Sequence, residues 1–62
     1  MNKIYLEVLE RDVKKSGLTK DQVRKIYQEM TNLAVMMNNG TDREKQLAKE
    51  HATELLIKLG RL

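Results

Sequence analysis

The chain has 62 residues, a net charge of +3, and neither cysteine nor proline. That length holds one domain, and the missing thiols exclude disulfides and thiolate metal centres. No apolar run approaches the roughly 18 residues of a membrane span, and no opening stretch resembles a signal peptide, so a soluble, cytoplasmic protein is expected.

Large apolar residues number 22 among Met, Ile, Leu, Val and Tyr, joined by Ala34, Ala48 and Ala52. This is enough for a thin core. Burial at about 25 cal/mol per Å² against about 1.5 kcal/mol of entropy per ordered residue leaves a balance near zero for so short a chain. With no disulfide available, self-association is the remaining common means of support, and a homodimer is expected.

The first predicted helix covers about residues 2–16. At 100° per residue, Tyr5, Leu6, Val8, Leu9 and Val13 share one broad wedge. Asp12 falls inside that wedge. A buried carboxylate is costly unless paired, so it reaches water at the wedge edge, pairs with a basic residue or His51 across the bundle, or awaits a partner.

Two corners divide the chain. Gly17-Leu18-Thr19 precedes Gln22, and Gly40-Thr41 precedes Glu44. In each, a glycine suited to the left-handed position that ends a helix is followed by a threonine cap, with Gln or Glu three residues on. Leu18 and Val23 are placed for a hydrophobic staple across the first corner.

The second predicted helix covers about residues 20–39. Val23, Ile26, Tyr27, Met30, Leu33, Ala34 and Met37 repeat at i, i+3, i+4 and i+7. Val35 and Met36 lie roughly 110–150° from the centre of that stripe. The third helix covers about residues 42–59, with Asp42 and Glu44 in its first turn and Lys58 in its last, as the helix dipole prefers. Leu47, Ala48, His51, Ala52, Leu55, Leu56 and Leu59 form its stripe, Ile57 lies off it, and Gly60 is placed to end it. Short connections favour antiparallel neighbours, so the expected fold is all-α: an up-down-up three-helix bundle, dimerising through its second and third helices. The competing geometry is a dimerising hairpin of those two helices with the first as an arm.

No catalytic, cofactor or metal site is expected. His51 is the only histidine and has no second imidazole or thiol to complete a metal site. The only serine, Ser16, stands at a helix C-terminus, where the dipole does not favour an anion. The three glycines do not form a phosphate loop, and a thin bundle has little room for a substrate pocket. The expected activity is therefore binding rather than catalysis.

Two binding surfaces are predicted. Val35, Met36 and Met37 leave more apolar surface than one helix face can bury, and methionine adapts to irregular protein partners. These residues are the expected protein-binding or self-association surface of a regulator or adaptor. Small charge-mixed chains of this kind are common among bacterial and phage proteins, an association rather than a derivation. The second surface is basic: residues 11–25 carry six Lys and Arg against two Asp, and Lys14, Lys15, Lys20, Gln22, Arg24 and Lys25 are the candidate nucleic-acid contacts.

The stretch Asp12-Val13-Lys14-Lys15-Ser16-Gly17-Leu18-Thr19-Lys20-Asp21-Gln22-Val23-Arg24-Lys25-Ile26 resembles a helix-turn-helix core, with Gly17 in the turn. That resemblance implies a DNA-binding regulator with Lys20, Asp21, Gln22 and Arg24 toward the major groove. It departs from the motif at Val13, where Ala or Gly is usual, at Asp12, where an apolar residue is usual, and in the length of its second helix. Together with Met1-Asn2-Lys3, the same stretch is similar to the beginning of histone-like bacterial DNA-bending proteins, whose β-sheet saddle and DNA-embracing arms have no counterpart here.

Overall fold

The computed structural model describes residues 2–62. They form three helices and no strand: α1 Lys3–Ser16, α2 Lys20–Asn39 and α3 Asp42–Lys58. Each start is capped by a side chain. Asn2 Oδ1 accepts from the Ile4 N–H at 2.9 Å. Thr19 and Gln22 form a reciprocal box: Gln22 N–H donates to Thr19 Oγ1 at 3.2 Å and Thr19 N–H donates to Gln22 Oε1 at 2.9 Å. Thr41 and Glu44 repeat it at 3.3 and 3.0 Å. These bonds satisfy backbone donors that a helix start leaves without an internal partner. The first of the Thr41 bonds to Glu44, from the backbone N–H, holds the Glu44 carboxyl below the usual carboxylate range.

The helix ends differ from one another. At the end of α1, Gly17 takes φ 73° and its N–H bonds the Val13 carbonyl. Ser16 ties the same corner, donating its hydroxyl to the Asp12 carbonyl at 2.6 Å and accepting from the Leu18 N–H at 3.2 Å. Gly40 departs from the expected left-handed conformation: it is extended at φ −84°, ψ 173°. Glycine is needed there for a different reason, because a Cβ would meet the Met36 carbonyl oxygen at 2.6 Å and Glu44 Cβ at 3.0 Å. Gly60 is left-handed, at φ 77°. Its N–H bonds the Ile57 carbonyl and the Arg61 N–H bonds the Leu56 carbonyl, the paired pattern of a Schellman turn. This turn reverses the chain after α3 and sends Arg61 back toward α1.

The bundle is up-down-up, measuring 35 × 24 × 16 Å. α2 is central, packing on both neighbours, whereas α1 and α3 meet only slightly. The core comprises Leu9, Val23, Ile26, Leu33, Ala48, Leu55 and Leu59, with Val13, Leu18, Tyr27, Met30 and Ala52 packed against it. Val23 and Leu59 are wholly enclosed.

The core is not centred. At about 1.5 Å per residue α1 is about 21 Å long and α2 about 30 Å, so α1 ends before α2 does. The apolar stripes continue past the covered region. Tyr5, Leu6 and Leu47, on stripes assigned to the core, are exposed, as are Ala34 and His51. Burial is dense at one end, where the α1–α2 corner meets the end of α3. It is sparse at the other, where the start of α1 lies beside the α2–α3 corner.

Gly17 and Gly60 share a backbone conformation but not surroundings. A Cβ at Gly17 meets nothing within 4 Å, whereas at Gly60 it would press on Lys15 Cβ at 3.2 Å. Gly17→Ala is therefore expected to cost about 1 kcal/mol for the left-handed backbone alone, and Gly60→Ala about 2 kcal/mol. Urea unfolding of the two variants measures the difference.

Candidate functional site

At the closed end, Asp12 is completely shielded from solvent. Its position on the α1 wedge, between Val8 and Tyr5 around the helix, carries the carboxylate inward toward α2. Tyr27 on α2 donates its hydroxyl to Asp12 Oδ2. Arg61, turned back by the Schellman corner, donates Nε–H to Oδ1 at 3.1 Å and Nη2–H to Oδ2 at 2.6 Å. The Asp12 side chain thus pairs with a basic residue, and that residue is Arg61 rather than His51. No buried side-chain nitrogen or oxygen lacks a hydrogen-bond partner among the described residues.

The electrostatics follow from these bonds. The Arg61 guanidinium holds the Asp12 carboxyl below its ordinary range, outweighing the upward push of burial, with the Tyr27 bond acting in the same direction as Arg61. Burial, reinforced by the bond to Asp12, pushes the Tyr27 hydroxyl up to about 12. The Tyr27 ring meets Tyr5 edge-on with centroids 6.0 Å apart at 67°. Tyr5, Val8, Tyr27 and Met30 line a shallow groove with Arg61 at its rim. Both Asp12 carboxylate oxygens and the Tyr27 hydroxyl are committed within the triad, so its work is to hold the fold.

At the open end, the expected protein-binding residues are all on the surface: Val35 is 56 % exposed, and Met36 and Met37 are each 40 % exposed. Three further residues, not singled out from the sequence as binding residues, are exposed toward the same end: Ile4 and Leu6 near the start of α1, and Leu47 near the start of α3. Their signal in the sequence was ambiguous. Tyr5, Leu6 and Leu47 lie on stripes that periodicity assigns to the core. Only the length mismatch between α1 and α2 reveals that the stripes outrun their cover. Of the nine large apolar residues exposed among the described residues, Tyr5 lies in the Tyr27 groove, and Ile57 and Leu62 lie toward the other end.

The basic residues do not form one surface. Lys14 and Lys15 lie on α1 with Glu7, Glu10 and Arg11 around a shallow depression. Gln22 and Lys25 face a separate groove between α2 and α3, with Glu29 and Lys58. Arg24 is 3.9 Å from Asp21, one turn earlier on α2, and Lys20 is exposed at the start of α2. Gln22 gives its side-chain oxygen to the Thr19 cap. His51 is a half-exposed boundary histidine rather than a core one, 3.9 Å from Glu29. Among the described residues no group of three His, Cys, Asp or Glu side chains converges as a metal site, and no helix is long and apolar enough to cross a membrane.

The triad makes a signed prediction about pH. Asp12 has a folded-state pKa below the ordinary 3.8, so its contribution is fully present above that value and is lost as pH falls through it. Tyr27 has a folded-state pKa above the ordinary 10.0, so its contribution is present below pH 10.0 and is lost as pH rises toward about 12. Arg61→Ala strands the carboxylate and is expected to cost about 2–4 kcal/mol at neutral pH. That deficit narrows on acidification, because protonation removes the buried charge. Asp12→Asn is expected to cost about 1–2 kcal/mol and to flatten the acid limb. Urea midpoints of the three proteins across pH check each sign.

Comparison of the chain with protein-family models, curated protein sequences and solved structures gives no match.

Proposed function

We propose that the chain is a non-enzymatic interaction module, a cytoplasmic regulator or adaptor that binds protein through the open end of its bundle. The observation that supports this reading is that Val35, Met36, Met37 and Leu47, with Ile4 and Leu6, are all exposed and all lie toward one end of the bundle. Single exposed apolar side chains are ordinary. Six of them toward one end of so small a domain mark a region that gains free energy when covered. Met36 and Met37 supply flexible, polarisable contacts that adapt to a partner's relief. Recognition here rests on apolar burial and uses no cofactor or small-molecule substrate.

A second reading is a DNA-binding regulator acting through residues 12–26. The exposure of Lys14, Lys15, Lys20, Arg24 and Lys25 favours it, since phosphate contacts need solvent-facing cations. The capping role of Gln22 and the separation of the cations between two grooves weigh against a single reading face.

Salt separates the two. Capture of a protein partner from host lysate is expected to persist from about 50 to 500 mM salt and to be lost in Met36→Lys, with helicity unchanged. DNA binding would instead fall by orders of magnitude over that range and vanish in the double variant Lys20→Glu, Arg24→Glu. A steep salt dependence together with indifference to Met36→Lys would refute the protein-binding reading.

A further inference from the structure

We infer that the partner covering the open end is a second copy of this chain, joined about a two-fold axis with the open ends face to face. This rests on the protein-binding reading and specifies its occupant. Three observations support it.

The first is area. A compact monomer of 7.2 kDa exposes about 4,100 Å² by the size scaling of folded proteins, whereas this chain exposes 4917 Å². The excess, about 800 Å², matches what one subunit contributes to a standard interface.

The second is charge. The charged residues nearest this end along the chain are Lys3 and Glu7 near the start of α1 and Asp42, Arg43, Glu44 and Lys45 at the start of α3, three of each sign. A surface that meets its own copy must not repel itself, and this one sums to zero. The closed end is different: residues 11–25 carry six basic against two acidic residues, and Lys58 and Arg61 lie beside them. Open-end pairing sets the two basic ends at opposite poles, separated by the 35 Å long axes of both molecules and several screening lengths of salt.

The third is symmetry. The apolar residues come from all three helices around the same end, so a two-fold axis through that end lets each Met36 and Leu47 meet its symmetry mates. Such an isologous contact closes at two copies.

Sedimentation equilibrium of the full chain from micromolar to millimolar concentration tests the inference. The expected result is a reversible approach to twice the 7.2 kDa chain mass and no further. Met36→Glu and, independently, Leu47→Lys are expected to weaken association by about tenfold or more with helicity retained, since both positions are exposed. A soluble nitroxide probe read by NMR then locates the contact, with the Met36, Met37 and Leu47 methyl groups protected in the wild type and bleached in the variants. A wild type that stays monomeric at millimolar concentration with those methyl groups bleached overturns the dimer while leaving a heterologous protein partner standing. A dimer that protects Ile57 or Leu62 instead overturns both the inference and the reading beneath it. Growth beyond two copies overturns the two-fold arrangement.

Discussion

Asp12 has no access to solvent, and its carboxylate is held by donors from two other parts of the chain, Tyr27 on α2 and Arg61 beyond α3. Direct packing between α1 and α3 is slight, so these bonds and the contact of Gly60 with Lys15 are what join the first helix to the last segment. The interaction is not strong evidence of stability. Removing two charges from water costs several kcal/mol per ion, and only good geometry and further hydrogen bonds return it. What the triad supplies is position. Apolar contacts tolerate small slides and rotations of a helix, whereas a shielded carboxylate tolerates only the arrangement in which its donors reach it.

That constraint explains the asymmetry of the molecule. Leu59 and Val23, both fully enclosed, sit near the end where the C-terminal turn and the α1–α2 corner converge. The Schellman turn at Gly60 is the local device that makes this convergence happen, because without a left-handed residue the chain after α3 would not double back. With α1 fixed against the closed end, its 14 residues cannot also cover the far end of α2. A core set so firmly to one side leaves its surplus apolar surface at the other, where partners reach it.

The local architecture was legible in the sequence. Both threonine boxes and all three helices follow from short-range chemistry: side-chain bonds spanning three residues, and periodicity within one element. What the sequence left open is non-local. Asp12 stood out as a carboxylate in an apolar wedge, but its partner lies 49 residues away, and no spacing rule connects the two. Gly40 looked like a second Gly17. Its real constraint, the approach of the Met36 carbonyl and Glu44 Cβ, comes with the extended backbone that Gly40 adopts, which the dipeptide does not signal. Val35 and Met36 were readable as surface because they leave the stripe. Met37 was readable only as surplus beside them, and Leu47 and Tyr5 were not, because periodicity states which face of a helix is apolar and not how much of its length a neighbour covers.

The closed and open ends are therefore linked through the register of α1. Consider α1 shifted by one helical turn, about 5.4 Å, toward the open end. Ile4, Tyr5 and Leu6 would move further along α2, beside the exposed Val35–Met37 segment, and more apolar area would be enclosed within one chain. The wedge of α1 is broad enough to accept the shift. Asp12 is not. The shift would carry its carboxylate away from Arg61 and Tyr27 and leave a buried charge without donors, a penalty of several kcal/mol that exceeds what covering one or two half-exposed side chains returns. The triad thus acts against self-burial of the open end. An apolar residue at position 12 would remove that penalty, giving a chain freer to fold upon itself and poorer in surface for anything else to bind.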